Sequence, residues 1–406
     1  MGPGRTKKSG GTVRTGIRQR LFFAPDCNTL VLHMPPVSTP TSRMRTIKLP
    51  CILVSMATLL LGSGFARTAV SDPLNIYFID VEGGQSTLIV TPDKHSLLVD
   101  SGWAGQGTGF SPADPHQARD ANRIVAAAKD AGVTRIDFLL ITHFHPDHDG
   151  GVAELAKLMP IGTFIDHDSP SWGAVITGPD IEPAFDAYKA VRAGHTHIVP
   201  KPGDRLPIPG VAATVISSDA QVLTQPLRGA GAQNPLCSST SLIRANDPFE
   251  NPRSTGILLQ FGRFRFLDVG DLSGKPLRAL ACPRSLIGAV DVYLVAHHGG
   301  PDAADPASFA AFSPVVAIVN NGVTKGGGAA TLHSLHHVAG IKNVWQLHAS
   351  SNSGAENFPQ PVIANLNEGN SFWLKLEAQP DGSFRIHNPR TDTWTSYAAR
   401  APAGAE

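Results

Sequence analysis

Thr142-His143-Phe144-His145-Pro146-Asp147-His148-Asp149-Gly150-Gly151 is the stretch on which the reading of this chain turns. It follows Ile136–Ile141, a continuous apolar run that reads as a buried strand, and precedes Val152–Leu158, which reads as a helix. In an extended segment alternate side chains point the same way, so His143 and His145 project together. The turn at Pro146 then carries Asp147 and His148 onto an adjacent face. Imidazole and carboxylate are ligands suited to zinc, manganese or iron. Two side-by-side pairs at this spacing can hold two divalent ions that share a bridging hydroxide. The rival reading is a surface loop that happens to be rich in histidine, and three histidines with an aspartate at a strand end argue against it.

Two further strand ends carry the same signal. Phe264–Asp271, reading FRFLDVGD, places Asp271 just beyond an apolar strand, and Val290–Gly300, reading VDVYLVAHHGG, places His297 and His298 beyond another. Sheets of the α/β type put their sites at the carboxyl ends of strands, so three such ends can converge. Asp268 lies inside its strand and reads as a packing or supporting residue.

Outward from these segments the pattern is α/β. Strands are expected at Leu74–Ile79, Ser86–Val90 and His95–Asp100, then a long loop over 102–119 and a helix capped by Asp120 and ending near Gly132. After Ile161–Ile165 come a helix over Pro183–Ala193 and strands near Ile198 and Val211–Ile216. Residues 219–253 read as an irregular rim loop or lid. Strands Gly256–Phe261 and Arg265–Val269 open a second half, in which helices (Pro276–Ala281, Pro306–Phe312, Leu332–Ala339) alternate with strands (Val290–Val295, Val315–Val319, Val344–Leu347). A hairpin over Phe372–His387 closes the chain. Each half runs strands first and then alternates, which predicts an αββα sandwich of two mixed sheets with helices outside.

Taken together, the His143-x-His145-x-Asp147-His148-x-Gly150-Gly151 run, Gly270-Asp271 and His297-His298-Gly299 resemble the metallo-β-lactamase superfamily. Phe78-Ile-Asp80-Val-Glu-Gly-Gly-Gln85-Ser is similar to the opening strand and turn of its ComEC/Rec2-like branch, the hydrolase domain of DNA-uptake proteins. The resemblance implies that His143 and His145 bind a first metal, that Asp147 and His148 bind a second, and that Asp271 bridges them. His297 is favoured over His298 to complete the second site, as the nearer to its strand. Asp147 is also expected to orient the attacking hydroxide or handle its proton. One departure stands out: where many members carry another metal-binding histidine, this chain reads Ser217-Ser218-Asp219, so His167 and Asp219 become substitute candidates. His195, His197, His333, His336 and His337 read as surface residues, His348 as a hydrogen-bonded structural one, and Asn320 and Asn321, at a strand end, as substrate contacts with turn chemistry as the rival reading.

The implied cofactors are two divalent ions, zinc with manganese or iron as alternatives. A bound ion lowers the pKa of water to about 7 and so supplies hydroxide near neutrality. The implied function is hydrolysis of a phosphodiester or related ester by a metal-bridged hydroxide. Lactam or lactone hydrolysis on the same residues, and a non-catalytic binding or sensory role, stand as alternatives. Over 406 residues the formal net charge is +1, which gives no basic groove for a polyanion, so a small exported ester is as plausible a substrate as nucleic acid, which the charge does not support.

Three segments are expected: a disordered or spurious extension over 1–43, a signal peptide over 44–69, and the hydrolase domain over 70–400. The second has a basic start (Arg45, Lys48), an apolar run from Leu49 to Leu61 and small residues at Gly64 and Ala66. That run falls short of the about 20 residues a span needs, so the product is expected to be exported, periplasmic or secreted, with no stable span after cleavage. Cys237 and Cys282 are left as a bridge or two thiols.

Overall fold

The computed structural model describes residues 72–106, 117–171 and 180–401, so the expectations for 1–43 and 44–69 lie outside the described residues. In chain order the first half gives β1 (Leu74–Phe78), β2 (Thr87–Val90), β3 (Ser96–Val99), α1 (Arg119–Ala131), β4 (Ile136–Leu140), α2 (Val152–Leu158), β5 (Ile161–Ile165), α3 (Ile181–Arg192) and β6 (Thr196–Ile198). Next come β7 (Arg205–Leu206), β8 (Ala212–Ser218), β9 (Gln221–Val222), α4 (Leu236–Ser239), β10 (Gly256–Phe261), β11 (Phe264–Asp268), α5 (Gly274–Ala281) and β12 (Val292–Leu294). The last part holds α6 (Pro306–Phe312), β13 (Val316–Val319), α7 (Ala329–His336), β14 (Asn343–His348), β15 (Ile363–Asn365), β16 (Leu374–Ala378), β17 (Phe384–Asn388) and β18 (Thr393–Tyr397).

Two nine-stranded sheets result, ordered β18-β17-β16-β1-β2-β3-β4-β5-β6 and β15-β14-β13-β12-β11-β10-β8-β7, with β9 paired to β8. Both are mixed. β3 to β6 run parallel in the first and β11 to β15 in the second, while the remaining pairs are antiparallel. Strand side chains alternate between faces, and the alternation assigns the layers. Leu97, Val99, Leu140, Leu259, Phe266 and Leu294 pack into one core between the sheets. Leu98 and Leu139, one residue out of phase, pack instead with Ile124, Leu155 and Tyr188 of the helices covering the first sheet. Leu258, Leu267 and Tyr293 do the same with Leu277, Phe309 and Leu332 over the second. This is the αββα sandwich that the periodicity predicts.

Two local expectations are corrected, and an open one is decided. Ala118 rather than Asp120 occupies the cap position of α1. The Asp120 carboxylate is buried one residue into the helix, where it accepts from the Trp103 amide at 2.8 Å and pairs with Arg119. The closing hairpin is a three-stranded meander, extended by β18 and returned to the first sheet through the β16–β1 pair. β18 (TWTSY) is mostly exposed, so little apolar alternation marks it. Cys237 and Cys282 form a disulfide that ties the 219–253 segment to the end of α5.

Among the buried polar ties that cross between the sheets is one at Gln85. Gln85, in the turn after β1, donates from Nε2 to both carboxylate oxygens of Asp268 on β11, at 3.0 and 3.2 Å. Burial pushes the Asp268 carboxyl up to about 7 from its ordinary 3.8, against the amide of Gly270 that favours its charge. A carboxyl raised in the fold lowers native stability as pH climbs from its open-chain value through its folded one. Asp268→Asn is therefore expected to raise the melting temperature of metal-free protein at pH 8, on the order of a few kcal/mol of stability. The gain should shrink towards zero by pH 4. A gain independent of pH in parallel thermal melts would show that ionisation of Asp268 is not the cause.

Candidate metal centre

The loops after β3, β4, β11 and β12 meet at one place. Asp100 ends the first of these segments, His143 to His148 follow β4, Asp271 follows β11, and His297 and His298 follow β12. Gly270 makes the approach feasible: its φ is +54°, and a Cβ there would lie 2.7 Å from Thr142 side-chain atoms.

Asp100, wholly buried, orients two of the imidazoles. It accepts from the Thr142 amide at 2.7 Å and the Thr142 hydroxyl at 2.8 Å, and lies 2.7 Å from His148 Nδ1. The same hydroxyl is 3.1 Å from His143 Nδ1. Both rings are thus held by Nδ1, leaving each Nε2 to face inward. His143 Nε2 lies 3.0 Å from His145 Nδ1, and His145 Nε2 lies 3.0 Å from Asp247 Oδ2. Across the centre, His148 Nε2 is 3.2 Å from Asp271 Oδ2, 3.3 Å from Asp147 Oδ2 and 3.2 Å from His298 Nε2. His298 Nε2 in turn lies 3.1 Å from Asp147 Oδ2 and 3.3 Å from Asp271 Oδ2.

Of the three candidate ligand groups among the described residues, two meet at this centre, Asp147 with His148, Asp271 and His298, and His143 with His145 and Asp271; the third, Asp80 with Glu82 and His348, does not share a residue with them. In each the ligand atoms lie within 4.8 Å of one another, and Asp271 is common to the first two. The residues fit divalent cations. Asp271 Oδ1 is buried with no hydrogen-bond partner among the described residues, and two imidazole nitrogens face each other beside two carboxylates. Nitrogen and oxygen donors without thiolate suit zinc, manganese or iron. The electrostatics agree. Burial opposes charge on Asp271, but His148, His298 and His297 hold its carboxyl well below the usual range. Burial, with His148 and His145 as neighbours, keeps His143 well below 6.5 and hence neutral, the form that ligates. His148 goes the other way: burial is outweighed by Asp271, Asp147 and Asp100, which raise it well above 6.5.

With this geometry in view, residues 79–215 match the family model described as the metallo-beta-lactamase superfamily. The two mixed sheets with helices outside are consistent with the metallo-β-lactamase fold. Similar solved structures include a HARLDQ-motif mutant metallo-β-lactamase of Cronobacter sakazakii, 13% identical, covering 56% of this chain and 79% of that one with a TM-score of 0.33. CmlA, a diiron β-hydroxylase from Streptomyces venezuelae, is 14% identical, covering 68% of this chain and 48% of that one with a TM-score of 0.34. MEM-A1, a subclass B3 metallo-β-lactamase from a soil metagenome library, is 14% identical over 60% of this chain and 86% of its own, with a TM-score of 0.33. The comparison with curated proteins returns no match.

On this αββα sandwich the structure brings His143, His145, Asp147, His148 and Asp271 together, and three of the remaining expectations change. His298, not His297, joins Asp147 and Asp271. After β12 both histidines take left-handed backbone, φ 49° and 53°, so the chain coils tightly and nearness to the strand no longer sets which ring points inward. His297 stands beside the cluster, with Nδ1 2.6 Å from Asp302 and Nε2 3.5 Å from Asp271. Asp219 is outside the site. β8 runs on to Ser218 and hairpins into β9, which leaves Asp219 paired with Arg253 at the surface. His167 is buried against Phe144, 3.0 Å from Glu250 Oε1, and joins neither group.

The supporting carboxylates went unread in the sequence. Asp100 offered a signal, since it ends an apolar strand as Asp271 does. Asp247, Asp302 and Lys325 lie in irregular segments and offered none. Lys325 reaches Asp147 from the turn after β13. His348 is hydrogen-bonded to Asp80, and Asn321 is spent on backbone carbonyls, in keeping with structural roles.

Because one group offers four ligands and the other three, metal titration is expected to show one tight and one weaker equivalent. His148→Ala should remove the tight one and His145→Ala the weaker one. A protonated His148 must release its proton to ligate, so tight-site affinity should fall about tenfold per pH unit as pH drops below its raised value. Calorimetry in buffers of different ionisation enthalpy reads that proton directly, and a pH-independent affinity would show that metal binding displaces no proton from His148.

Proposed function

We propose that this chain is an exported metal-dependent hydrolase acting on a small phosphodiester or related ester. The observation that carries the reading is the shared Asp271 carboxylate, buried between two adjacent ligand groups. Divalent ions bound there would bring the pKa of a coordinated water down to about 7 and polarise the substrate. The chain's own residues divide the remaining work. Burial opposes charge on Asp147, yet Lys325 and His148 hold its carboxyl well below the usual range, so near neutrality it stays ionised and can orient the attacking hydroxide as a hydrogen-bond acceptor. Lys325, partly exposed with its ammonium 4.9 Å from the Trp103 ring centre, provides a cation to meet a substrate or leaving-group oxygen.

The similarity of Phe78–Ser86 to the ComEC/Rec2-like branch supports phosphoester chemistry, and the net charge of +1 supports a small substrate over DNA. The signal-like pattern over 44–69 supports export. So does the Cys237–Cys282 disulfide, a bond that persists in oxidising compartments. Among the described residues no helix is long and apolar enough to cross a membrane.

A panel of bis-p-nitrophenyl phosphate, nitrocefin and a simple lactone, each with and without chelator, tests the reading. Phosphodiester turnover abolished by chelator is expected, with Asp271→Ala or His145→Ala removing nearly all of it. Turnover confined to nitrocefin or the lactone would reassign the centre to acyl hydrolysis, and metal binding without any turnover would favour a binding or sensory role. Lys325→Met is expected to lower kcat about ten- to hundredfold with little change in bound metal.

A further inference from the structure

Beside the metal centre lies a pocket of about 700 Å3 whose walls include Leu242, Arg244, Pro248, Pro252, Lys275 and Pro276. Its two cations are exposed, and neither makes an ion pair or side-chain hydrogen bond among the described residues. Pairing among charges is otherwise frequent around the centre. Arg253 pairs with Asp219, and Arg278 pairs with Asp305.

The pocket is attached to the reacting centre on several sides. The Asn246 amide donates to Asp302 Oδ2 at 2.9 Å, and Asp302 Oδ1 lies 2.6 Å from His297 Nδ1. The next residue, Asp247, lies 3.0 Å from His145 Nε2, and Asn251 Nδ2 lies 3.3 Å from His297 Nε2. The opposite wall is the first turn of α5, three residues beyond Asp271. Gly274, at φ +64°, lets the loop close onto that turn, since a Cβ there would stand 3.1 Å from the Ala245 amide nitrogen. Among the described residues no side chain caps α5, whose first-turn amides and dipole favour negative charge. Ser273 Oγ and Asn251 Oδ1, on the two segments that form the walls, are buried without partners among the described residues.

We propose that this pocket is a substrate subsite for a second, terminal oxyanion, a carboxylate or a phosphate monoester, carried on a short apolar span beyond the scissile ester. Arg244 and Lys275 meet the oxyanion, and the proline and leucine walls pack the span. The proposal rests on the hydrolase reading above and narrows its substrate class. Guanidinium and ammonium groups form stronger hydrogen bonds to oxyanions than neutral donors do. Binding energy taken up here, away from the reacting bond, fixes the ester against the centre.

The test uses p-nitrophenyl phosphodiesters of benzyl alcohol bearing a 4-carboxylate, a 4-phosphonate or a neutral 4-carboxamide. Wild-type protein is expected to show KM about tenfold lower for an acid than for the carboxamide. The better of the two acids identifies which oxyanion the pocket takes. In the double variant Arg244→Ala/Lys275→Ala that ratio should fall to about one, and in Arg244→Lys/Lys275→Arg it should persist. Equal KM across the series in wild type, or a preference that survives the alanine pair, overturns the subsite. Calorimetric binding of terephthalate to the purified protein reads the pocket without turnover. It is expected to weaken about fivefold or more in the alanine pair, and equal binding would again overturn the subsite. If wild type cleaves none of the esters while terephthalate binding still depends on the two cations, the hydrolase reading fails and the anion pocket stands.

Discussion

The structure depends on keeping one carboxylate charged in a place from which water is excluded. Asp271 is almost fully buried, and its Oδ2 lies within 4 Å of imidazole nitrogens from His143, His148, His297 and His298. An isolated buried carboxylate would protonate rather than bear the desolvation cost. Here the histidines reverse that tendency, and the same crowding of lone pairs makes the centre receptive to divalent cations. The second carboxylate, Asp147, is held in the same way and shares His148 and His298 with the first.

Imidazoles crowded this closely must each be fixed in one tautomer and one orientation, and the surrounding carboxylates do this. Asp100 holds His148, Asp247 holds His145, and Asp302 holds His297, each through the ring nitrogen opposite the one that faces Asp271 or its partner histidine. Such outer carboxylates raise the basicity of a ligating ring and set its direction. They come from three different loops. A change in any one of those loops is therefore felt at the metal centre.

The segment between β8 and β10 has a particular place in this arrangement. It contributes Asp247 to one histidine, Asn251 to another and Arg244 to the adjoining pocket, while its disulfide fastens it to the end of α5. It has little regular secondary structure of its own, so its position is set by these attachments rather than by a ladder of backbone hydrogen bonds. Substrate selection can then vary in this segment while the αββα layers beneath remain unchanged.

The layers were legible because burial on two faces leaves a period-two mark: Leu97 and Val99 in one core, Leu98 in the other. The metal loop was legible because its ligands lie within six residues of each other at the end of a buried strand. Strand-end placement also found Asp271. The same rule failed for Asp219, whose strand turns outward, and it chose His297 over His298, because a left-handed backbone reverses which ring points inward. The chain by itself thus determined the sandwich and the chemical type of the centre, both written in local periodicity and spacing. Only tertiary structure decided which histidine completes the cluster, which carboxylates orient the rings, and that Lys325 and Arg244 stand beside it. Apart from Asp302 on His297, those contacts join residues dozens to hundreds of positions apart, and no local pattern records them.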